Sequence, residues 1–155
     1  MMRVLITAGA SGIGRAMGNG FAANGHQVWV TDVDQSALDQ CPADWKRSCV
    51  DASDDAAMAE LFQNIFAFWG GLDAICANAG IAGPTALVED VDLADWQRCV
   101  SVNMEGAFLA AKYGGAMLKA SQGSICLTSS TAGIYGYPNR APYAAAKWGI
   151  IGLMK

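Results

Sequence analysis

A glycine-rich loop between a short apolar run and a helical pattern sets the first limit on the architecture of this chain. Residues 4–7 are apolar or β-branched, the eight residues 7–14 read TAGASGIG, and a helical pattern then continues to about Asn24-Gly25. Glycines allow a tight turn and close approach to a pyrophosphate, and the helix N-terminus presents free N–H groups and a positive dipole end. A strand, loop and helix in this order predict a cradle for dinucleotide phosphates.

The remaining apolar runs extend this start into an alternating α/β pattern. Short β-branched runs predict five strands, at residues 4–7, 27–31, 46–50, 72–77 and 124–128. Helical patterns lie between them, and the clearest, residues 54–69, is predicted to be capped by Ser53 and ended by Gly70-Gly71. Residues 92–119 predict a helix that is irregular near Asn103, and Pro142 begins the last one.

Alternating strands and helices indicate right-handed βαβ units. We therefore predict a Rossmann-like, doubly wound parallel sheet in three α/β/α layers, with residues 1–155 forming a single dinucleotide-binding domain. Ligands of such sheets bind beyond the carboxyl ends of the strands. These ends should carry the functional residues.

Asp32 predicts which dinucleotide is bound. It ends the second strand, 18 residues after Gly14. A carboxylate at this place can accept hydrogen bonds from the adenosine ribose hydroxyls and would repel a 2′-phosphate, which favours NAD over NADP. The alternative is an ordinary solvated aspartate in the turn that follows the strand.

Composition narrows the functional classes. A net charge of −4 without a basic stripe argues against nucleic acid, and no run approaches the roughly 18 apolar residues of a membrane span. The five cysteines are widely spaced and there is one histidine, so we expect no metal site. We expect the cysteines to be reduced, buried apolar residues of a cytoplasmic protein.

On these features the whole chain resembles the short-chain dehydrogenase/reductase family. The family loop reads T-G-x-x-x-G-x-G, so that Thr7, Gly12 and Gly14 match, whereas Ala8 replaces the first glycine. We expect Gly9 to supply the missing backbone freedom. Members that bind NADP carry a basic residue where this chain has Ser11 or Val33, in agreement with Asp32.

Two further segments extend the resemblance. The segment Val50-Asp51-Ala52 is similar to the family segment whose aspartate contacts adenine. Residues 77–80 are similar to the family motif N-N-A-G, with Ala77 in place of the first asparagine. The resemblance implies that this substitution removes a hydrogen bond that supports the sheet. The resemblance implies that the cofactor is bound by Thr7, Gly9, Ser11, Gly12, Ile13, Gly14, Asp32, Asp51, Ala52, Asn78, Ala79, Gly80, Tyr143 and Lys147.

Four residues carry the predicted chemistry. Ser130 lies 13 residues before Tyr143, Lys147 four after it and Asn103 40 before it, which is the spacing of the family's catalytic residues. Tyr143 and Lys147 would share a helical face, where the ammonium ion would stabilise a phenolate that acts as acid or base. The resemblance implies that Ser130 binds the reacting oxygen, that Lys147 also binds the nicotinamide ribose, and that Asn103 holds a water linked to Lys147.

Plainer interpretations of the same residues remain open. Tyr-x-x-x-Lys is often a surface pair on a helix, and Ser130 could belong to an ordinary turn after a strand. Arg140, three residues before Tyr143, could pair with an acidic substrate or be an exposed arginine like many others.

Together these features predict an NAD-dependent oxidoreductase that interconverts a secondary alcohol and a ketone. Alternatives are a 3-oxoacyl thioester reductase of the same family and a non-catalytic dinucleotide sensor or scaffold. The resemblance implies a homo-oligomer, a tetramer or dimer, with a small-molecule substrate and no nucleic-acid or membrane partner.

The last helical pattern shows no end signal, and a complete fold of this type has six strands. We therefore expect that the fold is truncated after the fifth strand and the start of the following helix, with its C-terminal part missing. We also expect that these 155 residues alone do not turn over substrate.

Overall fold

The computed structural model describes residues 1–155 and contains one parallel sheet of five strands in the order β3-β2-β1-β4-β5. The strands are β1 Arg3–Ile6, β2 Gln27–Asp32, β3 Lys46–Cys49, β4 Ala74–Ala77 and β5 Ser124–Leu127. All five predicted strands and the Rossmann-like parallel sheet are thus confirmed, with ends that differ by at most two residues from those predicted. At the centre, Leu5 lies opposite Trp29 on one side and Ile75 on the other.

Six α-helices connect and cover the strands. They are α1 Gly12–Ala23, α2 Gln35–Asp39, α3 Asp55–Trp69, α4 Leu93–Val100, α5 Gly106–Ser121 and α6 Ala141–Met154. Helix α2 was not predicted from the sequence, because its five residues are too few to show a helical period.

The predicted cap of α3 was wrong by one residue. Asp54 caps this helix, and its carboxylate accepts a hydrogen bond from the Ala57 N–H at 3.0 Å. The Ser53 hydroxyl instead donates to Asp51 at 2.6 Å. The predicted end is confirmed, because Gly70 takes the left-handed conformation with φ of 70°.

The predicted irregular helix is a helix interrupted by one π-helical turn. Residues Ser101–Glu105 form this turn between α4 and α5. Asn103 lies within it, and its side-chain amide donates to the carbonyls of Cys99 and Ile81, both at 2.9 Å. Such turns widen a helix locally, which here holds the Asn103 side chain in a fixed, buried position.

Two apolar clusters pack on opposite faces of the sheet and create the three layers. Val4 and Ile6 face the layer of α1 and α2, whereas Leu5 between them faces α3, α5 and α6. Small residues permit the close packing, since a Cβ atom at Gly18 would collide with the Trp45 ring. The carboxyl ends of the strands all open onto the same edge of the sheet.

The cysteines only partly match the prediction. Cys41, Cys76 and Cys99 are buried, but Cys49 and Cys126 are exposed because they lie on the edge strands β3 and β5. None forms a disulfide. None of the helices combines the length and the apolar character needed to cross a membrane.

Candidate active site

The glycine-rich loop joins β1 to α1 and shows where the missing family glycine matters. Ala8 itself takes the left-handed conformation, with φ of 48°. The expectation that Gly9 supplies this freedom was therefore wrong. Gly9 is needed for close approach instead, because a Cβ atom there would lie 2.6 Å from Cγ1 of Val30. A left-handed alanine costs roughly 1–2 kcal/mol, which the loop tolerates.

The loop is held by the two residues that directly follow β4. The Asn78 side-chain amide donates to the carbonyls of Thr7 and Ala8 at 3.3 and 3.2 Å. The buried Thr7 hydroxyl accepts from the backbone N–H groups of Asn78 and Ala79 at 2.9 and 3.0 Å. Gly14 completes the tight turn, since a Cβ atom on it would collide with the Ala8 carbonyl. Thr7 and Asn78 thus brace the loop.

A cavity of about 240 Å³ lies beside the loop, at the ends of β2 and β3. Asp32 lines it, and its two carboxylate oxygens accept from the Ala10 and Asp34 N–H groups, both at 3.2 Å. The remaining lining residues are Ala8, Ser11, Val33, Val50, Asp51, Ala52, Ala79, Gly80, Ile81, Arg98 and Val102.

Asp51 and Arg98 form an ion pair in this cavity at 3.0 Å. Burial raises the pKa of Asp51, but hydrogen bonds from Ser53 and the Arg98 cation outweigh it and hold the pKa below its usual value. Arg98 was not identified from the sequence, because no spacing pattern connects residues so far apart.

A larger cavity of about 560 Å³ adjoins the smaller one, with which it shares Ala8, Ser11, Gly80 and Ile81. The four predicted catalytic residues, Asn103, Ser130, Tyr143 and Lys147, all line this larger cavity, as do Gly12, Ile13 and Asn78 of the predicted cofactor site. The structure therefore brings together residues from β5, α6, the π turn and the loop. The two cavities lie side by side along the carboxyl edge of the sheet.

Lys147 is the buried cation of the site, with only 3% of its surface exposed. Its ammonium group donates to the Thr128 carbonyl at 2.9 Å and lies 5.6 Å from the centroid of the Tyr143 ring. Burial lowers the pKa of Lys147, and the negative charge of an ionised Cys99 would oppose this shift only partly. The Ser129 hydroxyl donates to the Lys147 carbonyl at 2.9 Å and fixes this turn of α6. Thr128 acts through its backbone, so no side-chain pattern could have indicated it.

Ser130 and Asn103 complete the site with polar atoms that the protein does not fully use. Ser130 precedes a short 3₁₀ turn, and its Oγ accepts only the Ala132 N–H, at 3.2 Å. Oδ1 of Asn103 is buried and has no hydrogen-bond partner.

The fold is of the Rossmann type, and the candidate site residues lie at the carboxyl ends of its parallel strands, where ligands of such sheets bind. The family model for short chain dehydrogenase matches residues 2–155, and the chain belongs to this family. The resemblance inferred from the sequence is confirmed.

Two curated relatives and one solved structure illustrate the similarity. The chain is 34% identical to cis-4-hydroxycyclohexanecarboxylate dehydrogenase of Sinomonas cyclohexanicum, covering 97% of this chain and 64% of the relative. It is 33% identical to a 3-oxoacyl acyl-carrier-protein reductase of Thermotoga maritima, with the same two coverages of 97% and 64%. The crystal structure of NAD⁺-bound xylitol dehydrogenase matches with a TM-score of 0.93 and 28% identity over 98% of this chain and 62% of that one. The chain thus spans less than two thirds of the length of these proteins.

Proposed function

We propose that residues 1–155 are the dinucleotide-binding unit of an NAD-dependent oxidoreductase that interconverts a secondary alcohol and a ketone. One observation carries the proposal: Asn103, Ser130, Tyr143 and Lys147 line one cavity beside the glycine-rich loop. Burying an ammonium ion without a counter-ion costs free energy, and a non-catalytic sensor has no need of this arrangement. The buried Lys147 therefore favours catalysis.

The residues present fit a nicotinamide dinucleotide. The loop has no room for a Cβ atom at Gly14 and open space at Gly12, as a backbone cradle requires. Asp32 occupies the smaller cavity, whose single lysine or arginine, Arg98, is paired with Asp51. This leaves no free cation for a 2′-phosphate and supports NAD. When bound, the nicotinamide supplies or accepts the hydride.

Tyr143 would act as the acid–base group. In ketone reduction its hydroxyl would give a proton to the ketone oxygen, and in alcohol oxidation its phenolate would take the proton of the alcohol. Ser130 would hold the reacting oxygen by a hydrogen bond. Lys147 stabilises the phenolate, because an opposite charge nearby favours the ionised form. Acid–base help of this kind typically contributes roughly 10²–10⁴ in rate.

Asn103 and Lys147 would pass the proton onward. Lys147 uses one of its three N–H donors on Thr128, and the buried Oδ1 of Asn103 lacks a donor. A water between these groups would satisfy both and connect Lys147 with solvent, which is the role that the family resemblance implies for Asn103.

A second candidate function is reduction of a 3-oxoacyl thioester. The relative from Thermotoga maritima that carries such a name favours it. Enzymes of that type usually work with NADPH, which Asp32 disfavours. The secondary alcohol dehydrogenase therefore remains the main proposal.

A homo-oligomer and a cytoplasmic location are also proposals. Large apolar side chains on α4, α5 and α6 are exposed in this chain, among them Leu93, Phe108 and Trp148. A partner subunit could cover them. The five unpaired cysteines fit a reducing compartment.

The test uses the full-length protein with a panel of secondary alcohols and acetoacetyl thioesters, each offered with NAD(H) and NADP(H). We expect at least one alcohol to be oxidised with NAD⁺ in preference to NADP⁺. Preferred reduction of thioesters by NADPH would favour the second candidate. Tight NADH binding with no turnover of any panel member would contradict both and indicate a sensor.

A further inference from the structure

The larger cavity has an uncompensated positive charge apart from Lys147. Arg140 also lines it, at the start of α6, and none of the 16 lining residues is an aspartate or glutamate. The three ion pairs of the chain involve Arg3, Arg98 and Lys112. Arg140 therefore lines the cavity that holds Tyr143 and has no counter-ion.

The Arg140 guanidinium is fixed in place. Its Nη2 donates to the Ala82 carbonyl at 2.6 Å and its Nη1 to the Thr85 hydroxyl at 3.2 Å. Its central carbon lies 5.6 Å from the ring centroids of both Tyr137 and Tyr143. The group is therefore oriented before any ligand arrives.

The same guanidinium is not saturated. Arginine has five N–H donors, and each Nη of Arg140 keeps a second N–H beyond the contact that it makes within the chain. Its Nε is buried and also lacks a partner, so the second N–H groups of the two Nη atoms are the donors left for a ligand. Guanidinium groups match the planar, two-oxygen geometry of carboxylates. A fixed, unsaturated arginine beside Tyr143 is suited to bind a carboxylate carried by the reacting molecule.

We propose that Arg140 selects substrates that carry a carboxylate, so that the substrate class is a secondary hydroxy acid and the corresponding oxo acid. This rests on the proposed function and adds the substrate class to it. The competing explanation is mechanical, namely that Arg140 only clamps residues 82–85 to the start of α6. The Ala86 N–H makes a similar link, because it donates to the Asn139 carbonyl at 3.0 Å.

The experiment separates charge recognition from clamping. The full-length protein, its Arg140→Met variant and the control Arg47→Met are assayed with secondary hydroxy acids, each paired with its primary amide. Arg47 is an exposed arginine on β3, away from both cavities. Binding of benzoate and benzamide, which share a shape and differ in charge, is measured by calorimetry as a readout independent of turnover.

We expect acids to exceed their amides in kcat/KM and benzoate to bind more tightly than benzamide. Loss of a charged hydrogen-bond partner should lower the acid-to-amide ratio roughly 10- to 100-fold in Arg140→Met and leave it unchanged in Arg47→Met. Equal use of acids and amides by the unaltered protein would overturn the proposal while leaving the proposed oxidoreductase intact. So would an Arg140→Met variant in which both members of each pair lose activity in parallel, because that is the result of a broken clamp. Absence of turnover on acids and amides by a protein that oxidises other secondary alcohols would also overturn this proposal alone, whereas absence of turnover on every secondary alcohol would refute the proposed function as well.

Discussion

Asn103 and Lys147 meet beside Gly80: Oδ1 of Asn103 lies 2.7 Å and Nζ of Lys147 3.4 Å from the position that a Cβ atom of residue 80 would occupy. The backbone of Gly80 thus leaves the two polar groups room to approach the same point. Neither group can easily yield, since both side chains are buried and held by hydrogen bonds to backbone carbonyls.

A single methyl group at this point should disturb the site. Gly80→Ala would push the Asn103 amide and the Lys147 ammonium apart, and misplacement by about 1 Å can cost roughly 100-fold in rate. We expect a loss of that order in the turnover of the full-length protein. Gly115→Ala in α5 is the control, because open space surrounds its Cβ position. Normal turnover by Gly80→Ala would show that the contact is unimportant.

The left-handed Ala8 predicts a stabilising substitution. Ala8→Gly should raise the free energy of unfolding by about 1 kcal/mol, because glycine takes a positive φ without steric cost. The comparison is Ala10→Gly, at a neighbouring buried alanine with no positive φ, which should be destabilised. Urea denaturation measures both. Equal destabilisation by the two substitutions would contradict the strain at Ala8.

Cofactor choice can be tested at Asp32. Titration of the unaltered protein by fluorescence should show tighter binding of NADH than of NADPH. The substitution Asp32→Asn keeps an acceptor for the Ala10 N–H but removes the negative charge. We expect the ratio of NADH affinity to NADPH affinity to fall roughly tenfold or more. Asp34→Asn changes a neighbouring exposed carboxylate, whose helix-capping contact with Ala37 an asparagine can replace, and should leave the preference unchanged. Equal or tighter binding of NADPH by the unaltered protein would refute the assignment.

The buried Lys147 predicts how stability depends on pH. Burial lowers its pKa from 10.5 in the folded state, so between the folded value and 10.5 the unfolded chain binds more protons. At lower pH Lys147 is charged, and its burial lowers the free energy of unfolding by the largest amount. As the pH rises through this window Lys147 loses its proton, and this destabilisation disappears. Relative to Lys147→Met, the unaltered protein should therefore gain stability with rising alkaline pH. The variant Lys119→Met, at an exposed lysine, is the control for the loss of one charge. If the free energy of unfolding of Lys147→Met and of the unaltered protein changed in parallel with pH, the burial of a charged Lys147 would be contradicted.

The strands and the order of the site residues could be predicted because they depend on local patterns. Buried parallel strands are short apolar runs, and a helical spacing of four places Tyr143 and Lys147 on one face. Asn103 could be assigned to an irregular helix, but its contacts with Cys99 and Ile81 depend on the tertiary structure.

The cap of α3 and the conformation of Ala8 could not be predicted from the sequence. In each case contacts between residues distant in the sequence decide between local alternatives. Ser53 and Asp54 are both good helix caps, and only the packing of Asp51 with Ser53 and Arg98 decides between them. The left-handed Ala8 goes against the preference of its residue type, and the loop that Asn78 braces imposes it.

The central claim is that Tyr143 transfers the proton in a site that binds NAD through separate residues. The most direct measurement compares the full-length protein with its Tyr143→Phe variant in two assays, NADH binding by fluorescence and steady-state turnover of the best secondary alcohol. The account predicts nearly unchanged NADH affinity and a loss of turnover of at least roughly 100-fold, the lower end of the acid–base contribution. A variant that retains turnover while binding NADH normally would contradict it and place the acid–base group elsewhere.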